Sequence, residues 1–168
     1  MDREFLQRKV SAWLESLDHD GDGVITQTDI DTVDDRALKA FGLVATSTQG
    51  KALKAASEKF WKDVAGAADT DRDGRINREE FSQAADSFTP AVQPWIEALV
   101  VAADSDGDGQ LTGEEYKALM VALGTNVDGG SISTGLSPLS VEEAQRSALE
   151  AFADNQPYSP ATWTFGKF

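Results

Sequence analysis

The chain has 168 residues, 40% of them apolar, and a net charge of −14 from 29 acids against 15 bases. This supply of core-forming residues excludes a disordered acidic tail, and the lack of any Lys/Arg cluster makes nucleic acid and anionic membranes poor partners. With no Cys and one His, disulfides, thiolate metal sites and His-rich zinc or copper clusters are also excluded.

The N-terminal MDREFLQRKV carries acids and an amphipathic pattern rather than a basic segment followed by an apolar run. Neither a signal peptide nor a membrane span is expected, so the expected location is cytoplasmic. Phe5, Leu6, Val10, Trp13, Leu14 and Leu17 fall on one stripe at helical spacing and predict a helix. It runs into DHDGDGVITQTD, residues 18–29, which has Asp at positions 1, 3 and 5 and Gly at position 6.

After a long connection over residues 31–58, a second stripe (Phe60, Trp61, Val64, Ala65, Ala68) leads into DTDRDGRINREE, residues 69–80. A third (Ile96, Leu99, Val100, Ala103), opening at Pro94 in a first-turn position, leads into DSDGDGQLTGEE, residues 104–115. These three segments hold 14 of the 29 acids, a concentration that a merely solvated surface does not produce. Ile30, Phe81 and Tyr116 follow directly and open the exiting helices. The four Trp are read as core anchors of these stripes.

Side chains at positions 1, 3 and 5 converge on one point only if the backbone wraps around it. Gly23, Gly74 and Gly109 permit that turn. The pattern is the EF-hand calcium loop, whose all-oxygen ligation suits a hard cation. The expected ligands in loop one are Asp18, Asp20, Asp22, the Val24 carbonyl, Thr26 and Asp29. Loop two offers Asp69, Asp71, Asp73, the Arg75 carbonyl, Asn77 and Glu80. Loop three offers Asp104, Asp106, Asp108, the Gln110 carbonyl, Thr112 and Glu115. Ile25, Ile76 and Leu111 at position 8 are expected to pair with a neighbouring loop as two-residue strands. Arg72, Arg75 and Arg78 are expected to offset part of the charge of loop two.

Asp29 is one methylene shorter than the usual Glu at position 12. It closes its site with one oxygen, through a water, or by drawing the exiting helix inward. Loop one is therefore expected to be weaker for Ca²⁺ or shared with Mg²⁺.

EF-hands pair, so loop three needs a partner. Residues 124–139 (GTNVDGGSISTGLSPL) read as a linker, and a helix over 140–152 is predicted, with Ser140 as N-cap and Ala144, Ala148, Leu149 and Phe152 on its apolar side. The following ADNQPYSPATWTF is then read as a shortened fourth loop, with Tyr158 at position 8, Trp163 at position 13 and no ion. The expected fold is all-α: four EF-hands with eight helices in one globule. An N-terminal pair over 1–88 is followed by a C-terminal pair over 89–168.

With these loops and a long first connection, the chain resembles the sarcoplasmic calcium-binding protein and calerythrin family over essentially its whole length. The resemblance implies a cytosolic calcium buffer or transporter. A resemblance to calerythrin implies a first loop ending in Asp beside an inactive second site, whereas here DTDRDGRINREE is intact and the fourth site is the one read as dead. Only Met1 and Met120 are present, and sensors use Met-rich grooves, so a monomeric buffer is favoured over a calmodulin-like sensor with a target protein. A single His, in a loop at a non-ligand position, excludes a Ser-His-Asp set, and no enzymatic activity is expected.

Overall fold

The computed structural model describes residues 14, 17–122 and 138–153, without the side chains of 85–89 and 150–153. Leu14 and Leu17 are helical and lead into loop one. The remaining elements are β1 (Val24–Ile25), α1 (Gln27–Ala40), α2 (Thr48–Ala68), β2 (Ile76–Asn77), α3 (Arg78–Ala103), β3 (Gln110–Leu111), α4 (Gly113–Ala122), β4 (Leu139–Ser140) and α5 (Val141–Ala153).

The expected long connection is thus mostly helix. α1 ends in a Schellman turn: the Leu43 N–H reaches the Leu38 carbonyl at 2.8 Å, and Gly42 supplies the left-handed residue at φ 66°. Ser47 then starts α2, its Oγ accepting from the Gly50 N–H at 3.0 Å. These two caps confine the turn between the helices to a few residues.

The largest departure from expectation is α3. The helix leaving loop two and the helix entering loop three are one continuous 26-residue helix, with Pro90 and Pro94 inside it. Pro94 does not start a helix, so the expected eight helices are not eight separate ones. The boundary expected at residue 88 also lies within α3. Each proline removes one amide donor from the ladder. Both lie on the exposed face, where water can serve the freed carbonyls, while Val92, Trp95, Ile96 and Leu99 pin the opposite face in the core.

The strands pair two by two. β1 and β2 are antiparallel with Ile25 opposite Ile76, and β3 and β4 are antiparallel with Leu111 opposite Leu139. The position-8 residues are buried, as their spacing predicts. However, the partner of Leu111 is Leu139, in the segment read as a linker, and not Tyr158. The helix over 141–153 therefore follows directly on a strand of its own, β4. Tyr158, Trp163 and the rest of ADNQPYSPATWTF after Ala153 lie outside the described residues.

One core joins these elements. Phe60 of α2 stacks on Trp95 of α3, with centroids 4.7 Å apart and planes 16° from parallel. Ile30, Val33, Leu53, Ile96, Leu99 and Leu111 belong to the same buried cluster. Trp61 is half-buried against it, and Trp13 and Trp163 lie outside the described residues. Arg36 of α1 donates through Nε to the Ala122 carbonyl at 3.0 Å, tying the first exiting helix to the end of α4. Gln145 donates to the Glu97 carbonyl at 3.3 Å and ties α5 to α3.

Candidate metal centres

The three acidic loops share one hydrogen-bond plan. The position-1 carboxylate accepts from the position-6 glycine N–H: Asp18 from Gly23 at 2.8 Å, Asp69 from Gly74 at 3.0 Å and Asp104 from Gly109 at 3.0 Å. Those glycines have φ between 80° and 85°, a region only glycine enters cheaply. The position-5 N–H donates to both the position-1 and position-3 carboxylates at 3.1–3.2 Å in every loop. Backbone amides thus hold both oxygens of the position-1 Asp and one oxygen of the Asp at positions 3 and 5.

The position-12 residue closes each loop from the helix side. One Glu115 oxygen accepts from the Ser105 N–H (2.9 Å) and Oγ (2.8 Å); the other accepts from the Thr112 N–H and Oγ1, both at 2.9 Å. Glu80 repeats this with Thr70 and Asn77. Asp29 repeats it again despite its shorter arm, accepting from the His19 N–H at 3.1 Å and from Thr26 N and Oγ1 at 2.8 and 2.6 Å. Asp29 is buried, and His19 itself is exposed. The position-9 side chains, Thr26, Asn77 and Thr112, are therefore engaged with the closing carboxylate.

The oxygens gather differently in the three loops. Asp69, Asp71 and Asp73, and likewise Asp104, Asp106 and Asp108, bring oxygens within 4.8 Å of one another. In loop one the set is Asp18, Asp20 and Asp29, so the short carboxylate is drawn in and Asp22 stands outside. Asp22 instead accepts from Arg75 Nη2 of loop two at 2.8 Å. The Arg75 charge therefore falls on loop one, contrary to the expectation that it offsets loop two.

The electrostatics show what the loops lack. Desolvation, reinforced by repulsion from Asp73, Glu80 and Asp69, raises the Asp71 pKa. Asp106 is also raised: the Asp108 amide pulls it down, but desolvation and the charges of Asp108 and Glu115 outweigh that pull. Glu115 carries a desolvation penalty that hydrogen bonds from Thr112 and Ser105 more than offset, holding it at about 2. A dication relieves such repulsion among hard oxygen donors, so the donor set fits calcium.

Two features escaped the sequence reading. At position 4, Gly21 and Gly107 take positive φ, and Arg72 must do the same in loop two at φ 62°, where a side chain is strained. Ser140 and Glu143 also repeat the position-9 and position-12 pairing, with Glu143 accepting from Ser140 N at 3.1 Å and Oγ at 2.7 Å. The Ser140 hydroxyl and amide bonds lower the Glu143 pKa. The readable signal was the spacing Ser140-x-x-Glu143, which matches Thr26-x-x-Asp29, Asn77-x-x-Glu80 and Thr112-x-x-Glu115.

The EF hand family model matches residues 66–84 and 101–120, which contain loops two and three. A Streptomyces coelicolor calcium-binding protein, described in terms of prokaryotic calcium-mediated regulation, is 31% identical. That alignment covers 89% of this chain and 96% of that one, with a TM-score of 0.73. A sarcoplasmic calcium-binding protein from amphioxus is 18% identical over 98% of both chains, with a TM-score of 0.70. Calcium-loaded apo-aequorin from Aequorea victoria is 18% identical over 93% of this chain and 98% of its own, with a TM-score of 0.67. These last two likenesses show the fold alone. No curated protein matches the sequence. The chain is a calcium-binding EF-hand protein, and it belongs to the family of the Streptomyces coelicolor calcium-binding protein.

Proposed function

We propose that this chain is a cytosolic calcium buffer, monomeric and without enzymatic activity, that loads Ca²⁺ in loops one, two and three. The observation that carries the reading is the same hydrogen-bond plan built three times around a closing acid, each time gathering at least three carboxylates. The ligands are those named from the sequence: Asp18, Asp20, Asp22, Thr26, Asp29 and the Val24 carbonyl; Asp69, Asp71, Asp73, Asn77, Glu80 and the Arg75 carbonyl; Asp104, Asp106, Asp108, Thr112, Glu115 and the Gln110 carbonyl. Loop one, closed by the short Asp29, is the weakest for Ca²⁺ and the one shared with Mg²⁺.

A fourth hand keeps its packing role without an ion. Counting back from Leu139 at position 8 puts Ile132, Thr134 and Leu136 at positions 1, 3 and 5, where no carboxylate remains. Glu143 alone survives, at position 12. The chain then comprises two EF-hand pairs that share the long helix α3.

Burial supports a buffer over a sensor. Met120 is 2% exposed, and the large hydrophobics that are exposed among the described residues are three scattered valines, Val44, Val101 and Val121. Among those residues no helix is long and apolar enough to cross a membrane. A calcium-dependent regulator is the second reading, favoured by the regulatory description of the Streptomyces coelicolor relative. Binding of a hydrophobic dye separates the two. The buffer reading expects dye fluorescence to stay flat or fall when calcium is added to the chelated protein; a large calcium-induced rise would overturn it in favour of the regulator.

A further inference from the structure

Loops one and two lie side by side, joined through Val24 opposite Asn77 and Ile25 opposite Ile76. Their pairing carries the Arg75 side chain across to loop one, 53 residues away in sequence. The two roles of Arg75 separate cleanly. Its backbone belongs to loop two, the amide donating to Asp73 Oδ1 at 2.8 Å, while its guanidinium donates to Asp22 Oδ2, also at 2.8 Å.

Asp22 has both oxygens occupied, since its Oδ1 accepts from the Val24 N–H at 3.1 Å. The corresponding residues Asp73 and Asp108 stand within the oxygen sets of their own loops, and Asp22 does not. In the absence of a cation the ion pair stabilises loop one by offsetting repulsion among its four aspartates. For Asp22 to join a bound cation, the pair must open or a guanidinium must sit beside a dication. Both raise the free energy of the loaded state relative to the empty one.

Resting on the calcium reading above, we propose that Arg75, a loop-two residue, sets the cation affinity of loop one by holding Asp22 out of the loop-one oxygen set. It is a positioning residue: it acts on the ion through Asp22, and together with Asp29 it makes loop one the weak member of the pair. The partners are half-exposed (side chains 51% and 39% accessible), so solvent screens the pair and the effect is modest.

The test is a calcium titration of chelated ¹⁵N-labelled protein, following the amides of Gly23, Gly74 and Gly109 as separate reporters of the three loops. Arg75→Gln is expected to tighten loop one by about two- to fivefold, a larger change than at loop two, and to leave the distant loop three unchanged. Arg75→Lys, which keeps the charge, should remain close to the parent. The difference between Arg75→Gln and the parent should shrink in about 0.5 M KCl, which a purely structural role would not produce. Unchanged or weakened binding at loop one, or a shift larger at loop two than at loop one, would overturn the proposal. Failure of Gly109 to respond to calcium in any variant would instead overturn the calcium reading itself.

Discussion

Replacing Glu115 with glutamine is expected to weaken calcium binding at loop three by roughly 100-fold, equivalent to about 3 kcal/mol, with the fold retained. The amide keeps the length of the side chain but removes its charge and turns one acceptor into a donor. That donor then faces either the Ser105 pair or the Thr112 pair, all of which donate to the carboxylate. The loop therefore loses an anionic ligand and one of the two ties that hold position 12 against it. The pKa of about 2 reflects how strongly those four donors favour the anion. Glu80→Gln should act in the same way on loop two, where Thr70 and Asn77 provide the donors. The Gly109 and Gly74 amides report the two losses separately, and a variant binding as tightly as the parent would refute the closing role of position 12.

The second large effect lies away from the ions. Asp34 of α1 is completely buried, accepting from Ser57 Oγ of α2 at 2.5 Å and from Trp95 Nε1 of α3 at 3.2 Å. Burial pushes its pKa up, the bonds from Ser57 and Trp95 and the charge of Lys54 pull it part of the way back, Asp31 adds to the rise, and the net value is about 6. Lys54 is itself paired with Asp35 at 2.9 Å. The folded protein therefore holds this proton more tightly than the unfolded chain, whose carboxyl titrates near 3.8. The stabilisation from protonation is full below about pH 4 and is lost as the pH rises through about 6. The shift of about two pH units corresponds to roughly 3 kcal/mol. Asp34→Asn, a neutral side chain of the same shape, should make the chelated protein more stable than the parent at pH 7.5. It should also flatten the difference between pH 5 and 7.5. Equilibrium urea unfolding at the two pH values measures this; an unchanged pH dependence in the variant would contradict the buried ionised Asp34.

What could be read from sequence follows the range of the interactions involved. The three loops are legible because their ligands are local: carboxylates at positions 1, 3 and 5, a glycine at 6 and an acid at 12 lie within twelve residues. Asp29 was legible as the odd closing residue, and the geometry adds that it still reaches both His19 and Thr26. The fourth strand was harder to read, because no carboxylates precede it at positions 1, 3 and 5; only the spacing Ser140-x-x-Glu143 hinted at it, and its pairing with Leu111 fixes Leu139 as its position 8. Pro94 was misread because a proline suits a helix start as well as an exposed interior turn held by Trp95 and Ile96. Asp34 falls in the stretch read as a long connection, and only the approach of α2 and α3 buries it. Arg75 belongs with these long-range features, since nothing near it in sequence points to Asp22.

The central claim, that three loops bind calcium while a fourth hand packs without an ion, is tested most directly by calorimetric titration of the chelated protein with Ca²⁺. Three ions per chain are expected, with loop one the weakest. Four sites of comparable strength would contradict the ion-free fourth hand, and an absence of binding heat would contradict calcium binding by these loops altogether.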